Sequence, residues 1–321
     1  MAPSAPPRFV QTHVFDADAS REEAAAGLLA PAAHASPKFF YDRLGSKLFE
    51  AITEVPEYYP TRTEAAVLAN NASSIAAAVG KVGSLVDLGA GNCAKAARLF
   101  PTLGPRRYVA VDISVDFLRD ALRGVQREHP ELEMIGLGTD FSSQLKLPPD
   151  IINGRPVFFY PGSSIGNFTP EEAVPFLRSV RANSRDGGML LGVDLRKAPE
   201  LLVAAYDDAL GVTAAFNLNV LRHLNRIVGT DFDPAQWKHV ALFNDEASRI
   251  EMHLQARVDV AVTWPGHERT FAAGERIHTE NSYKYTVESF ERLLKSAGFC
   301  PKRHWTDERG FFGVFWAESQ S

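Results

Sequence analysis

The chain has 321 residues, of which 45% are hydrophobic and 23% are charged. This composition is typical of a folded globular protein and excludes a disordered, collagen-like or membrane-embedded chain. The 34 basic and 39 acidic residues give a formal net charge of -5 without a basic block, so we expect no nucleic acid and no membrane as partner.

The positions of the cysteines and histidines argue against a disulfide framework and against a metal site. Cys93 and Cys300 are not in CxxC spacing, and the nine histidines show no HExxH or comparable ligand pattern. We therefore expect no disulfide framework and no metal site. The N-terminus lacks the basic and apolar regions of a signal peptide, and no apolar run reaches membrane-spanning length, so we expect a cytoplasmic protein.

Short apolar runs alternate with amphipathic stretches from about residue 84. This pattern predicts βαβ units and a mostly parallel sheet. The predicted strands are Ser84 to Leu88, Tyr108 to Ile113, Met134 to Leu137, Pro156 to Tyr160 and Met189 to Val193. Near the end of the chain, a helix is expected over 289–298 and a hairpin over 304–316.

The pattern changes between the last of these strands and the C-terminal helix. A long helical stretch with several aromatic residues is followed by polar and β-branched stretches. We interpret this region as an inserted substrate-binding domain, built from 8–61 and 196–284, beside a sheet domain built from 62–195 and 285–321.

A glycine-rich loop follows the first predicted strand. Gly89, Gly91 and Ala94 satisfy the G-x-G-x-x-G/A spacing that lets the backbone turn tightly and approach a ligand. Asp112, at the end of the next strand, is placed to bind ribose hydroxyls. The loop alone fits both NAD and S-adenosylmethionine.

Further residues favour the methyl donor over NAD. Asp87 precedes the first glycine by two residues, and Asp140 and Phe141 follow the third strand. An acid and an aromatic ring at that point can bind the amino group and the face of adenine. Their plainer interpretations are a helix N-cap for Asp140 and a core ring for Phe141.

The chain resembles the bacterial histidine Nα-methyltransferases of ergothioneine biosynthesis. The resemblance covers nearly the whole chain and rests on motifs such as 38–42, 56–64, 162–167, 205–208, 211–217, 249–252 and 279–282. It implies an α/β fold of the class I, Rossmann-like methyltransferase type with an inserted α+β domain. It also implies three successive methyl transfers from S-adenosylmethionine to the α-amino group of L-histidine, giving the trimethyl betaine hercynine.

The resemblance also implies the residues of the site. Together with the glycine-loop argument, it assigns donor binding to Tyr41, Phe49, Asp87, Gly89, Gly91, Lys95, Asp112, Asp140 and Phe141. It assigns substrate binding to Tyr58, Gly162, Asn167, Tyr206, Met252, Glu280 and Ser282. Tyr58 and Asn167 are the expected catalytic residues.

Several of these side chains have a physical reason for their role. The Asn167 amide can contact both the carboxylate and the amine of a substrate, although a turn residue is its plainer interpretation. Tyr206 can donate to a carboxylate, or be an ordinary core residue of a helix. Lys95, on a helix, would otherwise be a solvated side chain.

Glu280 and Ser282 are two residues apart, so on a strand both face the same side. A carboxylate and a hydroxyl there can bind the two nitrogens of an imidazole, whereas a phenyl ring would leave them unpaired. An exposed polar face is the plainer interpretation. Met252, otherwise a core residue, would limit room for an indole.

Three other functions remain open at this stage. The chain could methylate another amino acid such as tryptophan, although Met252 and Glu280 favour histidine. It could be a non-catalytic S-adenosylmethionine sensor, although a sensor would need no complete amino-acid site. An NAD oxidoreductase ranks last because no catalytic constellation of that class is recognisable. We expect a monomer.

Overall fold

The computed structural model describes residues 6–12, 16–113, 115–141 and 145–319. In chain order the elements are β1 (Arg8–Gln11), α1 (Ala17–Leu29), α2 (Arg43–Ile52), α3 (Pro60–Asn70), α4 (Ala72–Val79), β2 (Ser84–Leu88), α5 (Ala94–Ala97), α6 (Phe100–Leu103), β3 (Arg107–Asp112), α7 (Val115–Glu128), β4 (Glu133–Gly138), β5 (Pro156–Tyr160), α8 (Pro170–Ser184), β6 (Gly188–Asp194), α9 (Pro199–Ala204), α10 (Val212–Ile227), β7 (Trp237–Asn244), β8 (Arg249–Ala256), β9 (Val260–Trp264), β10 (His267–Phe271), β11 (Arg276–Tyr283), α11 (Val287–Ser296), β12 (Phe299–Thr306) and β13 (Phe312–Ser319). Short 3-10 turns cover Pro37–Phe40, Ser164–Asn167 and Pro234–Gln236. Across the described ranges, every helix is too short or too polar to cross a membrane.

The chain divides into two compact units. The first unit contains the described residues of 1–14, 62–196 and 285–321, and the second those of 15–61 and 197–284.

The expectation that the inserted domain starts at residue 8 is wrong, because β1 pairs in parallel with β4 in the first unit. Phe9 packs so closely on Gly136 that a Cβ there would lie 2.6 Å from its ring. The open edge of β4 supplies the hydrogen bonds that this short, half-buried strand needs.

The first unit contains an eight-stranded sheet in the order β1-β4-β3-β2-β5-β6-β13-β12. Strands β1 to β6 are parallel, and the hairpin β12–β13 pairs with β6 in the antiparallel direction. The predicted mixed α/β fold with a mostly parallel sheet is confirmed. All five predicted strands are found within one residue of their expected limits, because buried parallel strands are apolar along their length.

The strand order of this sheet places its loops. From β2 the chain moves to one side through β3 and β4, and then crosses to the other side of β2 through β5 and β6. Ligands of open α/β sheets bind beyond the carboxyl ends of strands at such a reversal. The loops that follow β2, β3, β4 and β5 all begin at this edge.

The second unit combines helices with antiparallel strands. Its sheets are β11-β8-β7 and the hairpin β9–β10. Helix α10 buries Phe216, Val220 and Leu224, which are spaced four residues apart and therefore share one face. The Phe216 ring stacks on Phe40 at 4.4 Å between centroids, which joins the N-terminal part of this unit to α10.

Candidate functional site

In the first unit, the loop after β2 adopts backbone conformations that favour glycine. The φ angles are 71° at Gly89 and 52° at Gly91. The amides of Gly89 and Ala90 both donate to the carbonyl of Val111, at 2.9 and 3.0 Å, which ties the loop to β3. A Cβ at Gly89 would lie 3.8 Å from the ring of Phe141, so loop backbone and aromatic ring border the same space. This arrangement fits a flat ligand such as an adenosyl group.

Asp112 ends β3 next to this loop. Its Oδ2 accepts a hydrogen bond from the Gly91 amide at 2.9 Å. The carboxylate therefore orders the glycine loop from the neighbouring strand. Its predicted contact with ribose hydroxyls stays a prediction.

Asp87 lies within β2 and is only 2% exposed. Its Oδ2 accepts from the Tyr108 hydroxyl at 2.7 Å, and its Oδ1 has no hydrogen-bond partner within the described part of the chain. Burial raises the pKa of this carboxyl to about 7, against the opposing effect of the Tyr108 hydrogen bond.

Cys93 is also fully buried beside the loop. Burial raises the pKa of its thiol to about 12, which suits a packing residue rather than a nucleophile.

Glu64 is a functional candidate that the sequence analysis missed. Its carboxylate is 2% exposed and receives two hydrogen bonds, from Lys95 Nζ at 2.9 Å and from the Gly162 amide at 2.7 Å. Lys95 is thus ion-paired to a buried acid and is not simply a solvated lysine. A Cβ at Gly192 would lie 1.8 Å from Glu64 Oε1, so this glycine leaves the room that the acid occupies. Glu64 connects a predicted donor-binding residue to a predicted substrate-binding one.

The turn after β5 contains the two predicted substrate-binding residues of this unit, Gly162 and Asn167. Gly162 and Ser163 have φ angles of 75° and 59°, and Asn167 ends the 3-10 turn that follows. The Ser163 hydroxyl accepts from the Asp194 amide at 2.9 Å, which ties the turn to β6. The positive φ favours glycine at position 162, and a Cβ there would lie 2.9 Å from Lys95 Nζ, so the end of the lysine would have to shift. Asp140 and Phe141 follow β4 at the same sheet edge.

In the second unit, four predicted site residues form a row of aromatic rings. Tyr41 lies edge-on to Phe49 at 5.9 Å, Phe49 to Tyr58 at 6.3 Å, and Tyr58 to Tyr206 at 6.2 Å. These centroid distances and the steep interplanar angles are those of favourable edge-to-face pairs. Ring faces in such a row can stabilise a cation.

Glu280 and Ser282 lie on β11 and are buried, at 8% and 3% exposure, so an exposed polar face is excluded. Glu280 pairs with Met252 on β8, which is 1% exposed, and Ser282 pairs with Ile250. The register shifts between His278 and Glu280, where Thr279 is an extra residue. Without this bulge, simple alternation from the buried Ile277 would turn Glu280 and Ser282 to the opposite face.

Lys284 is the second candidate that the sequence analysis missed. It is 3% exposed, and its Nζ donates to Ser282 Oγ at 2.8 Å and to the Tyr206 hydroxyl at 3.1 Å. The Tyr206 and Ser282 oxygens are themselves 2.7 Å apart. Three polar groups thus form a triangle in which Ser282 and Lys284 are buried and Tyr206 is half-buried, and two of the three are predicted substrate-binding residues.

The segment that carries Tyr206 is held in place on both sides. Asn217 donates to His239 Nδ1 at 2.8 Å, so the neutral ring must donate from Nε2, which lies 2.8 Å from the Tyr206 carbonyl. Burial lowers the pKa of His239, in agreement with a neutral ring. Asp208 accepts from the amides of Val212 and Thr213, at 2.9 and 2.7 Å, and so caps α10.

A sequence signal for the two missed residues existed but was ambiguous. Glu64 is the last residue of the motif 56–64 and Lys284 lies two residues after the motif 279–282, yet charged residues are usually solvated. Only their burial marks them as part of the site. Within the described ranges, no three His, Cys, Asp or Glu residues are grouped closely enough to hold a metal ion.

Comparison with known proteins decides the family. A family model described as a histidine-specific, SAM-dependent methyltransferase matches residues 20–319. The chain belongs to this family. As a member of this histidine-specific methyltransferase family, it is an enzyme that uses S-adenosylmethionine, which settles the choice between the two cofactor classes that the glycine loop left open.

Individual relatives agree with the family model. The histidine N-alpha-methyltransferase of Mycolicibacterium smegmatis is 41% identical over 305 residues, which cover 93% of this chain and 94% of that protein. The enzyme of the same name from Mycobacterium tuberculosis is 40% identical, covering 92% and 94%. Ergothioneine biosynthesis protein 1 of Neurospora crassa is 32% identical over 83% of this chain, which corresponds to 31% of that longer protein.

Proposed function

We propose that this histidine-specific methyltransferase transfers three methyl groups in succession to the α-amino group of L-histidine, giving hercynine for ergothioneine biosynthesis. The observation that carries the proposal is the buried pairing of Glu280 with Met252, next to Ser282, on the β8–β11 sheet. A carboxylate can accept several hydrogen bonds at once, so Glu280 can accept one from a substrate. An imidazole N–H is a suitable partner, and the names of the mycobacterial relatives support histidine as its source.

We propose that the methyl donor is bound by Tyr41, Phe49, Asp87, Gly89, Gly91, Lys95, Asp112, Asp140 and Phe141. The loop glycines allow close approach of the donor, and Asp112 supplies acceptor oxygens for its ribose. Asp87 acts indirectly, because its carboxyl contacts Tyr108 beneath the loop. The donor supplies an electrophilic methyl group on a sulfonium.

We propose that histidine is bound by Tyr58, Gly162, Asn167, Tyr206, Met252, Glu280 and Ser282. Asn167 holds the reacting amine and the carboxylate through its amide. Met252 fills the space that an indole would require. Holding the amine in line with the methyl group can lower the barrier by roughly 7 to 11 kcal/mol in favourable cases.

Each transfer forms an N–C bond as the S–C bond of the sulfonium breaks. Only the neutral amine can attack, so one proton must leave the nitrogen before each of the three transfers. We propose Tyr58 for this step, passing the proton to water. Its ring also faces the growing cationic character of the product, which has no N–H left to hydrogen-bond.

We further propose that the enzyme is a monomer, as the sequence analysis expects. Light scattering of the purified protein would give the mass of one chain if this holds. A molar mass equal to that of two chains, unchanged when the protein is diluted, would reject the monomer.

A panel of amino acids tests the proposed function. The protein is incubated with S-adenosylmethionine and each amino acid in turn, and the product masses are followed. We expect methylated histidine as the main product, with trimethylated histidine accumulating at the end. Turnover of tryptophan with none of histidine would reject the proposal, and donor binding without any turnover would indicate a sensor.

A further inference from the structure

A series of three hydrogen bonds runs from β8 to the segment before α10, within the second unit. Asn217, on α10, donates from Nδ2 to the His253 carbonyl at 3.1 Å and to His239 Nδ1 at 2.8 Å. His239 Nε2 then lies 2.8 Å from the Tyr206 carbonyl. Asn217 is fully buried and the His239 side chain is 2% exposed, so water has little access to either side chain.

The carbonyl groups at the two ends fix the hydrogen positions in this series. A carbonyl oxygen only accepts, so the Asn217 amide must turn its nitrogen toward His253. The same nitrogen faces His239 Nδ1, which must therefore be the ring nitrogen with the lone pair. The single N–H of the neutral ring is then at Nε2, where it can donate to the Tyr206 carbonyl. The other tautomer would bring an N–H against the Asn217 amide group and a lone pair against this carbonyl.

The backbone of Tyr206 is in an irregular segment between Ala204, the end of α9, and Val212, the start of α10. Its amide donates to the Val203 carbonyl at 2.9 Å, and the next fixed point along the chain is Asp208, which caps α10. The bond from His239 holds the carbonyl between these two points. A shift of this backbone would also move the phenol ring and its hydroxyl.

We propose that His239, with its tautomer set by Asn217, is a positioning residue for the substrate-binding Tyr206. This inference rests on the proposed function, histidine methylation. His239 acts through Tyr206, because it determines where that side chain lies. Loss of the His239 hydrogen bond therefore weakens the binding of histidine and leaves the binding of the methyl donor unchanged.

The helix that carries Asn217 also contacts two predicted donor-binding rings. Phe216, the preceding residue of α10, lies 6.0 Å from Tyr41 and 6.0 Å from Phe49 between ring centroids. A substitution that disturbs α10 as a whole would reach these two rings. A substitution that removes only the hydrogen bond to Tyr206 would not. Affinity for S-adenosylhomocysteine therefore separates a positioning role from a general structural one.

Three substitutions at position 239 test this role. His239→Gln can place an amide N–H near the Tyr206 carbonyl, His239→Asn is too short to do so, and His239→Phe keeps a ring without any N–H. We expect KM for L-histidine to rise by about tenfold or more in His239→Phe and His239→Asn, as for loss of a buried hydrogen bond. The change in kcat should be smaller, and His239→Gln should recover a large part of the loss. His267→Phe, on the exposed strand β10, is the matched control and should leave KM unchanged.

A double-mutant cycle with Tyr206→Phe tests whether His239 acts through Tyr206. If it does, adding His239→Phe to Tyr206→Phe should raise KM by no more than about threefold further. Affinity for S-adenosylhomocysteine, measured by calorimetry, should be unchanged in every variant that folds. If His239→Phe does not fold, His239→Asn replaces it in the cycle.

NMR of protein labelled with nitrogen-15 in its histidines tests the tautomer itself. We expect a proton on Nε2 of His239 and none on Nδ1, with the signals assigned by their loss in His239→Gln. A proton on Nδ1 instead, an unchanged KM in His239→Phe, KM effects that multiply in the double variant, or a parallel loss of affinity for S-adenosylhomocysteine would overturn the inference while leaving the proposed function intact. No turnover of histidine by the wild-type enzyme would overturn both.

Discussion

The carboxyl of Asp87 shows how one buried group can link stability to pH. Its pKa is raised to about 7 by burial, above the ordinary value of 3.8. The folded state therefore keeps a proton that the unfolded state loses, and this group's contribution to stability falls as pH rises from about 4 to about 7. Tyr108 limits the rise through its hydrogen bond but does not abolish it.

Asp87→Asn should remove this pH dependence. Between pH 5 and pH 8, the free energy of unfolding of the variant relative to the wild type should rise by on the order of 1–3 kcal/mol, measured in urea without donor. All other titrating groups are the same in both proteins and cancel in the difference. A difference that stays constant over this range would show that Asp87 ionises normally in the folded state.

Tyr58→Phe tests the proposed proton transfer. The ring contacts with Phe49 and Tyr206 need no hydroxyl, so histidine binding should be largely kept. We expect kcat to fall by about 100-fold or more, the usual contribution of acid–base catalysis. Steady-state rates between pH 6 and pH 10 give the measurement, and a rate unchanged at every pH would remove Tyr58 from this step.

Glu64→Gln tests the connection between Lys95 and Gly162. The amide keeps the shape and one acceptor, but it presents an N–H to the Lys95 ammonium, so two donors face each other. Affinity for S-adenosylhomocysteine should fall by about tenfold or more, as measured by calorimetry.

Glu133→Gln is the matched control, because Glu133 forms its ion pair with Arg107 while its side chain is 53% exposed. Surface pairs of this kind contribute little. Equal losses in the two variants would mean that the burial of Glu64 has no special effect on the donor site.

At the scale of elements, the start of α10 and the bulge in β11 decide where the substrate residues lie. Asp208 satisfies two amide groups at the start of α10, two residues after Tyr206. The bulge at Thr279 is held by its hydroxyl, which donates to the Met252 carbonyl at 3.0 Å. Both features belong to the second unit, whereas the glycine loop belongs to the first.

Asp208→Ala should therefore affect histidine more than the donor. Loss of the cap should cost about 0.5–2 kcal/mol of stability and raise KM for histidine. Asp207→Ala is the neighbouring control, because the Asp207 side chain is 57% exposed. The measurements are thermal unfolding and KM for each substrate, and a matching loss in the Asp207 variant would argue against the capping role.

At the scale of the whole molecule, the sequence predicts the central sheet far better than the site. Strands β2 to β6 are buried on both faces, so their apolar runs are unmistakable. Strand β1 was not predicted, because it has only four residues, two half-buried and two exposed, and they show no periodicity. The bulge at Thr279 could not be predicted from the sequence either. The face on which Glu280 lies is set by the pairing of β11 with β8, not by the local pattern of residues.

The missed site residues have a common physical cause. Glu64 and Lys284 are charged, and a charged residue is normally placed at the surface from sequence alone. Their burial depends on partners distant in the chain, such as Gly162 for Glu64 and Tyr206 for Lys284. The residues that the family resemblance named were found because they belong to motifs, not because their chemistry is evident from spacing.

The position and number of methyl groups on the product test the central claim most directly. Histidine is converted with S-adenosylmethionine labelled with carbon-13 in its methyl group, and the product is examined by NMR. We predict one labelled signal from three equivalent methyl groups on the α-nitrogen, with an unmodified imidazole. A labelled methyl on a ring nitrogen or on the carboxylate, or a product that stops at one methyl group, would contradict the account.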